Sequence, residues 1–167
     1  MKLTAKARYA VMAVTDIAVT CQRRLVRDAE APNQAVSLAE ISMRQDISLS
    51  FLEQLFAKLR RAGLVDSVRG ANGGYVLARP ADLIGIDAIM HAVDEDVMTK
   101  RCHDNGISCT GKGAKCLSHD LWQAMEDHIE GFFAAISIQD VLDQKFPELC
   151  PKQAETREKI EMPGAAE

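Results

Sequence analysis

Two helix-forming stretches with a tight break between them, followed at once by a glycine-rich hairpin, restrict this chain more than any other feature. The first is 37-SLAEISMRQ-45. Ser37 and Glu40 have the S-x-x-E spacing of a capping box, in which each side chain satisfies a free N–H at the helix start. A break at Asp46-Ile47 leads to 48-SLSFLEQLFAKLRRAG-63. There Leu49, Leu52, Leu55, Phe56 and Leu59 recur at helical spacing and predict a buried face, leaving Ser50, Glu53, Gln54, Lys58, Arg60 and Arg61 largely elsewhere. Gly63 stands where a C-terminal cap belongs. The next segment, 64-LVDSVRGANGGYVLARP-80, changes period. LVDSV and YVLA predict two short strands, and RGANGG supplies the glycines and asparagine that a hairpin turn requires. With a helix before it, this is the order of a winged helix-turn-helix.

That preceding helix is expected over residues 4–21, TAKARYAVMAVTDIAVTC, with Thr4 as its N-cap. Residues 22–35 are polar, charged and carry Pro32, which predicts a loop. After Pro80 a short helix is expected at 86–93, and Asp94-Glu95-Asp96 then leads into a cysteine-bearing segment. From about Ser118 the pattern is helical again, with Leu121, Trp122, Met125, Ile129, Phe132, Phe133 and Ile136 apolar. A short helix at IQDVLDQ and a polar, partly disordered end over 151–167 complete the chain. The expected fold class is mostly α with a small β-hairpin. Its expected divisions are a winged helix-turn-helix over 1–80, the cysteine segment with a long helix over 81–140, and a C-terminal extension over 141–167.

Charge distribution points to a polyanionic partner although net charge, at -4, does not. Residues 1–80 hold 12 Lys or Arg against 7 Asp or Glu, while residues 81–167 hold 8 against 17. A basic front and an acidic back suit a nucleic-acid-binding module joined to something else. No apolar run is long enough to span a membrane. The N-terminus lacks a signal-peptide core, because Thr15 and Asp16 interrupt it, so a cytoplasmic location is expected. No nucleophile–base set or phosphate-binding glycine loop is present, which argues against an enzyme.

A recognition helix needs an apolar face for the scaffold, short polar groups near its N-terminus and cations for phosphate. Ser48, Ser50 and Gln54 occupy the early turns, where base edges are met. Gln54 can bond an adenine edge, and Glu53 can accept from a cytosine amino group. Lys58, Arg60 and Arg61 suit phosphate contacts, and Arg69 at the hairpin tip suits a minor groove, whose negative potential attracts arginine. Lys2, Lys6 and Arg8 add further candidate backbone contacts. Glu53 is the exception, since a carboxylate near phosphate is repelled unless it reads a base.

Cys102, Cys109, Cys116 and His119 follow a C-x6-C-x6-C-x2-H pattern. Structural zinc knuckles favour much shorter gaps, whereas two wide, glycine-rich gaps suit an iron–sulfur cluster held by thiolates. A structural zinc site remains the alternative, as does a cluster-carrying electron-transfer protein with an incidental helix-turn-helix. An imidazole in place of a thiolate would make such a site less negative, favour the reduced form and add a ligand that protons displace. His103, Cys21 and Cys150 compete as ligands from weaker positions, and His91 and His128 read as packing or surface residues.

Taken together, LTAKARYAVMAVTDIA, ISLSFLEQLFAKLRRAGLVDSVRGANGGY, the AVDE before the cysteines and CLSHDLW closely resemble the IscR family of winged-helix iron–sulfur regulators. The likeness covers roughly residues 1–140, excluding 22–35. It implies that Cys102, Cys109, Cys116 and His119 ligate a [2Fe–2S] cluster loaded by the iron–sulfur assembly machinery. It further implies a homodimer paired through the long helix beginning near Asp120, with Ser50, Glu53 and Gln54 in the major groove and Arg69 in the minor groove. By the same likeness, Glu53 separates cluster-dependent from cluster-independent operators, and cluster loading sets which promoters are repressed or activated. Each cysteine gap is one residue longer than in the best-known members. Relatives that sense nitric oxide or iron through a [4Fe–4S] cluster on three cysteines typically lack the C-x2-H histidine, so CLSH favours [2Fe–2S]; a nitric oxide- or redox-responsive regulator of the same fold is the alternative.

Overall fold

The computed structural model describes residues 5–27, 35–70, 72–94 and 117–147. Helix α1 (Ala5–Arg27) is followed by α2 (Leu38–Gln45), α3 (Leu49–Arg61), strands β1 (Val65–Val68) and β2 (Gly74–Leu77), and one 3-10 turn (Ala81–Leu83). Three helices follow: α4 (Ile86–Ala92), α5 (His119–Ala134) and α6 (Ile138–Asp143). The mostly helical architecture with an antiparallel hairpin is the one expected from the sequence.

Helix α1 forms the centre. Ala7, Ala10, Ala13, Val14, Ile17 and Ala18 are buried along it, and their small side chains let α2, α3 and β2 approach closely. Its partners contribute Ile41 from α2, Leu52, Leu55, Phe56 and Leu59 from α3, and Val65 from β1. The same cluster continues through Ile84, Ile86, Ile89, Met90 and Val93 to Ile136 and Ile138. Two backbone bonds hold the last part in place, Ile86 N–H to the Ile136 carbonyl and Ile138 N–H to the Ile84 carbonyl, each 2.9 Å.

The helix expected over 4–21 runs on to Arg27, so residues 22–27 of the expected 22–35 loop are helical; Thr4 and residues 28–34 lie outside the described residues. Two long-range contacts account for the extra turns. Arg24 donates to the Ala35 carbonyl and, at 2.6 Å, to Glu40 on α2, while Gln22 meets Gln139 on α6 at 3.3 Å. Arg24 and Arg27 also lie in the last turn, where cations meet the helix dipole favourably.

The turns between elements follow the sequence closely. Ser37 Oγ accepts from the Glu40 N–H at 3.2 Å, and Glu40 Oε2 accepts from the Ser37 N–H at 2.8 Å, a complete capping box. At the end of α3, Gly63 adopts φ +68° one residue beyond the cap Ala62. Its N–H bonds the Arg60 carbonyl and the Leu64 N–H bonds the Leu59 carbonyl, both at 3.0 Å, closing a Schellman motif over buried Leu59 and Leu64.

One further pair has a buried carboxylate. Asp16 on α1 is only 7% exposed, yet it accepts from Arg44 Nε at 3.1 Å and from Gln45 Nε2 at 2.7 Å, both on α2. Those hydrogen bonds hold the Arg44 guanidinium above its ordinary pKa. A buried carboxylate needs such partners, and here they fix the crossing of α1 and α2.

Candidate nucleic-acid interface

The short connection between α2 and α3 sets the pose of α3. Asp46 ends α2 in the left-handed region, φ 52°, and donates its N–H to the Ser42 carbonyl. Ser42 Oγ then donates to the Ile47 carbonyl at 2.6 Å, and Ile47 is buried, so the turn is anchored from both sides. Ser48 caps α3, its Oγ accepting from the Phe51 N–H at 3.3 Å. That engages the Ser48 oxygen in the helix start and leaves its O–H as the group able to meet a partner.

With Leu52, Leu55, Phe56 and Leu59 buried, the opposite side of α3 faces solvent. Ser50, Glu53, Gln54, Arg60 and Arg61 are exposed, and Lys58 lies at the margin. Ser50, Glu53 and Gln54 make no side-chain hydrogen bond or ion pair with another described residue, which is the condition of a reading surface rather than a structural one. One expectation fails: Leu49 was placed on the buried face and is 43% exposed. Two residues on, Phe51 is partly buried instead, its ring meeting Tyr9 of α1 edge-on at 5.8 Å.

The hairpin stands beside this face. Val65 pairs with Leu77, Asp66 with Val76, Ser67 with Tyr75 and Val68 with Gly74. Its root is tied down twice: the Tyr75 ring meets that of Phe56 of α3 at 4.7 Å, tilted by 58°, and Tyr75 and Val36 exchange backbone hydrogen bonds of 2.8 and 2.9 Å. A Cβ at Gly74 would collide with the Val36 carbonyl, so this close approach requires glycine. Arg69 is exposed where the turn begins, and Gly70 beside it has φ +118°. Arg60 Nη1 reaches Ser67 Oγ at 3.4 Å, linking α3 to β1. Sequence reasoning overlooked Arg79, which donates to the Gly63 carbonyl at 3.1 Å and braces the joint between α3 and the hairpin.

Lys6 and Arg8 are exposed on the first turns of α1, while Lys2 is outside the described residues. Lys58 forms an ion pair with Asp94, the residue two past the end of α4. Asp94 belongs in the sequence to an acidic run and to the AVDE stretch, and nothing local there indicates its partner.

Of the expected metal ligands, only His119 is described. It is the first residue of α5, which begins where the sequence pattern places it, and its side chain is half-buried. Cys102, Cys109 and Cys116 lie outside the described residues, as do His103 and Cys150. Among the described residues no group of three or more His, Cys, Asp or Glu converges as a metal site. Cys21, half-buried on α1, has its thiol pKa raised by burial, only partly offset by Arg24, and a raised pKa disfavours the thiolate a metal needs. Helix α5 does not bury all the apolar residues expected of it: Leu121 and Trp122 are 64% and 41% exposed.

No described helix is long and apolar enough to cross a membrane. Comparison with known proteins agrees with the geometry. The chain is 46% identical over 145 residues to the HTH-type transcriptional regulator IscR of Photorhabdus laumondii, spanning 87% of this chain and 81% of that protein. Among solved structures, T. potens IscR superposes with TM-score 0.64 at 31% identity, covering 86% of this chain and 88% of the other. CymR, the global cysteine regulator of B. subtilis, gives the same score at 25% identity, covering 86% and 98%. The profile of Rrf2, described as an iron-dependent transcriptional regulator, matches residues 3–144. With a reading helix, a wing and these relatives in agreement, the chain belongs to the Rrf2 family of DNA-binding transcriptional regulators and is not an enzyme.

Proposed function

We propose that this regulator is a cytoplasmic homodimer that senses iron–sulfur cluster supply and controls cluster-biogenesis genes, repressing some promoters and activating others. The observation that carries the DNA half is the exposed face of α3, with Ser50, Glu53 and Gln54 unpaired on it and Arg69 beside it on the wing. Ser50, Glu53 and Gln54 then read base edges in the major groove, with the Ser48 hydroxyl at their head, and Arg69 enters the minor groove. Lys58, Arg60 and Arg61, joined by Lys2, Lys6 and Arg8, take phosphates and set register. Pairing through the exposed apolar residues of α5 would present two such faces to a two-fold operator.

For the sensing half, Cys102, Cys109, Cys116 and His119 would hold a [2Fe–2S] cluster delivered by the assembly machinery. The donor set fits: three thiolates and one imidazole are ligands of such clusters. His119 also opens α5, where the free N–H groups of the first turn favour an anionic group nearby. When bound, the cluster supplies a redox-active group whose presence tunes operator choice. Protein purified without oxygen should be coloured and contain about two iron and two sulfide per chain. Cys102→Ala should abolish that colour while leaving the helical content intact. A colourless wild-type protein carrying zinc would overturn the sensing half and leave the DNA half standing, and loss of helical content in Cys102→Ala would point to a structural metal.

A further inference from the structure

Of the three cations on α3, Lys58, Arg60 and Arg61, only Lys58 is in a direct ion pair with a carboxylate among the described residues. Lys58 is not peripheral to the reading face. It lies one helical turn beyond Gln54 and three residues before Arg61, on the margin between the buried and exposed sides.

Its partner is held by backbone rather than by a flexible arm. Asp94 has φ 57°, its N–H donates to the His91 carbonyl at 3.1 Å, and Val93 before it is fully buried. The carboxylate is 76% exposed, so burial does not explain why an acid sits there. Its surroundings are cationic from two elements. Its pKa is held below the usual carboxylate range first by the hydrogen bond and charge of Lys58, then by Lys6 on α1 and Arg61 on α3. One anion shared among Lys6, Lys58 and Arg61 is the arrangement a backbone phosphate of DNA would itself require.

We propose that Asp94 is an internal competitor for the DNA backbone, an acidic side chain seated where a phosphate binds Lys58, so that DNA must displace it. This rests on the DNA-binding reading above. Displacement lowers affinity for every sequence alike, because phosphate contacts carry no base information, and so it limits occupancy of non-specific DNA. The contact also joins α3 to the residue that leads into the cysteine segment.

The test uses the full chain and a fluorescein-labelled mixed-sequence duplex, with affinity measured across a salt series. Asp94→Asn should bind about 1.5- to fivefold tighter at low salt, the range that one exposed ion pair can contribute. The dependence of log affinity on log salt should steepen by up to about one charge per chain. In a Lys58→Ala background the same change should give no gain, because the competed contact is gone. Asn adopts the left-handed backbone as readily as Asp, and Asp94→Gly provides a second variant suited to that conformation. Asp143→Asn on α6 controls for net charge. An equal gain in Asp143→Asn, or a gain that persists without Lys58, would overturn the proposal in favour of general charge. No gain together with a lower melting temperature would reduce the pair to a staple between α3 and α4. Failure of the wild type to bind the duplex at any salt would instead overturn the DNA-binding reading, and the proposal with it.

Discussion

At the scale of single residues, the proposed interface divides discrimination and affinity between different side chains. Gln54 offers both an amide donor and an acceptor to a base edge, whereas Arg69 offers charge and reach to a narrow groove. Gln54→Ala should therefore cost about 1–3 kcal/mol on the preferred operator and flatten discrimination at one base position. Arg69→Ala should weaken binding most on sites with a narrow A·T-rich minor groove. Competition binding at matched salt separates the two, and an unchanged affinity for Arg69→Ala would remove it from the interface. Two glycines set the frame in which these residues act. Gly63 permits the left-handed step that turns α3 into the hairpin, and Gly74 allows the hairpin to touch Val36.

Elements depend on their ends, and two of them start with the same device. Ser37 with Glu40 caps α2, and Ser137 with Asp140 caps α6, where Asp140 Oδ2 accepts the Ser137 N–H at 2.9 Å. Burial alone would raise the pKa of Glu40, but the Ser37 N–H and hydroxyl, with the charges of Arg24 and Arg44, more than offset it and leave it lowered. Asp140 is lowered as well, by the Ser37-like pair of bonds from Ser137. A carboxyl lowered on folding stabilises the protein above its unfolded pKa, and that contribution is lost as pH falls through the folded value. The melting temperature should therefore drop between about pH 5 and pH 3, and the drop should be shallower in Glu40→Gln, whose amide can keep the cap without titrating. Scanning calorimetry across that window checks it; an identical slope in the variant would show that the cap does not govern acid stability.

For the whole molecule, one exposed apolar surface among the described residues is on α5. Leu121 and Trp122 are large and exposed on a helix that packs against α4, an arrangement that suits a second copy of the same helix. On the proposed homodimer, Leu121→Asp should shift the protein from dimer to monomer in sedimentation experiments without melting α1 to α3, whose core does not include that residue. Operator affinity should fall by at least about tenfold, because each half-site would then be bound alone. A variant that remains dimeric would place the interface elsewhere.

What the sequence determined by itself is what lies within a few residues. The Ser37–Glu40 spacing, the apolar stripe of α3, the glycine after Ala62 and the period change at residue 64 each encode hydrogen bonds or packing at short separation, so the winged helix-turn-helix was legible. The tertiary structure alone decided the rest. Helix α1 continues to Arg27 because Arg24 finds Ala35 and Glu40. Leu49 faces solvent because Phe51 takes the place against Tyr9. Asp16 can be buried because Arg44 arrives from α2, and Lys58 meets Asp94 only once α4 is packed on α3. Such pairings depend on which surfaces meet when the core closes, and no local pattern of residue types carries that information.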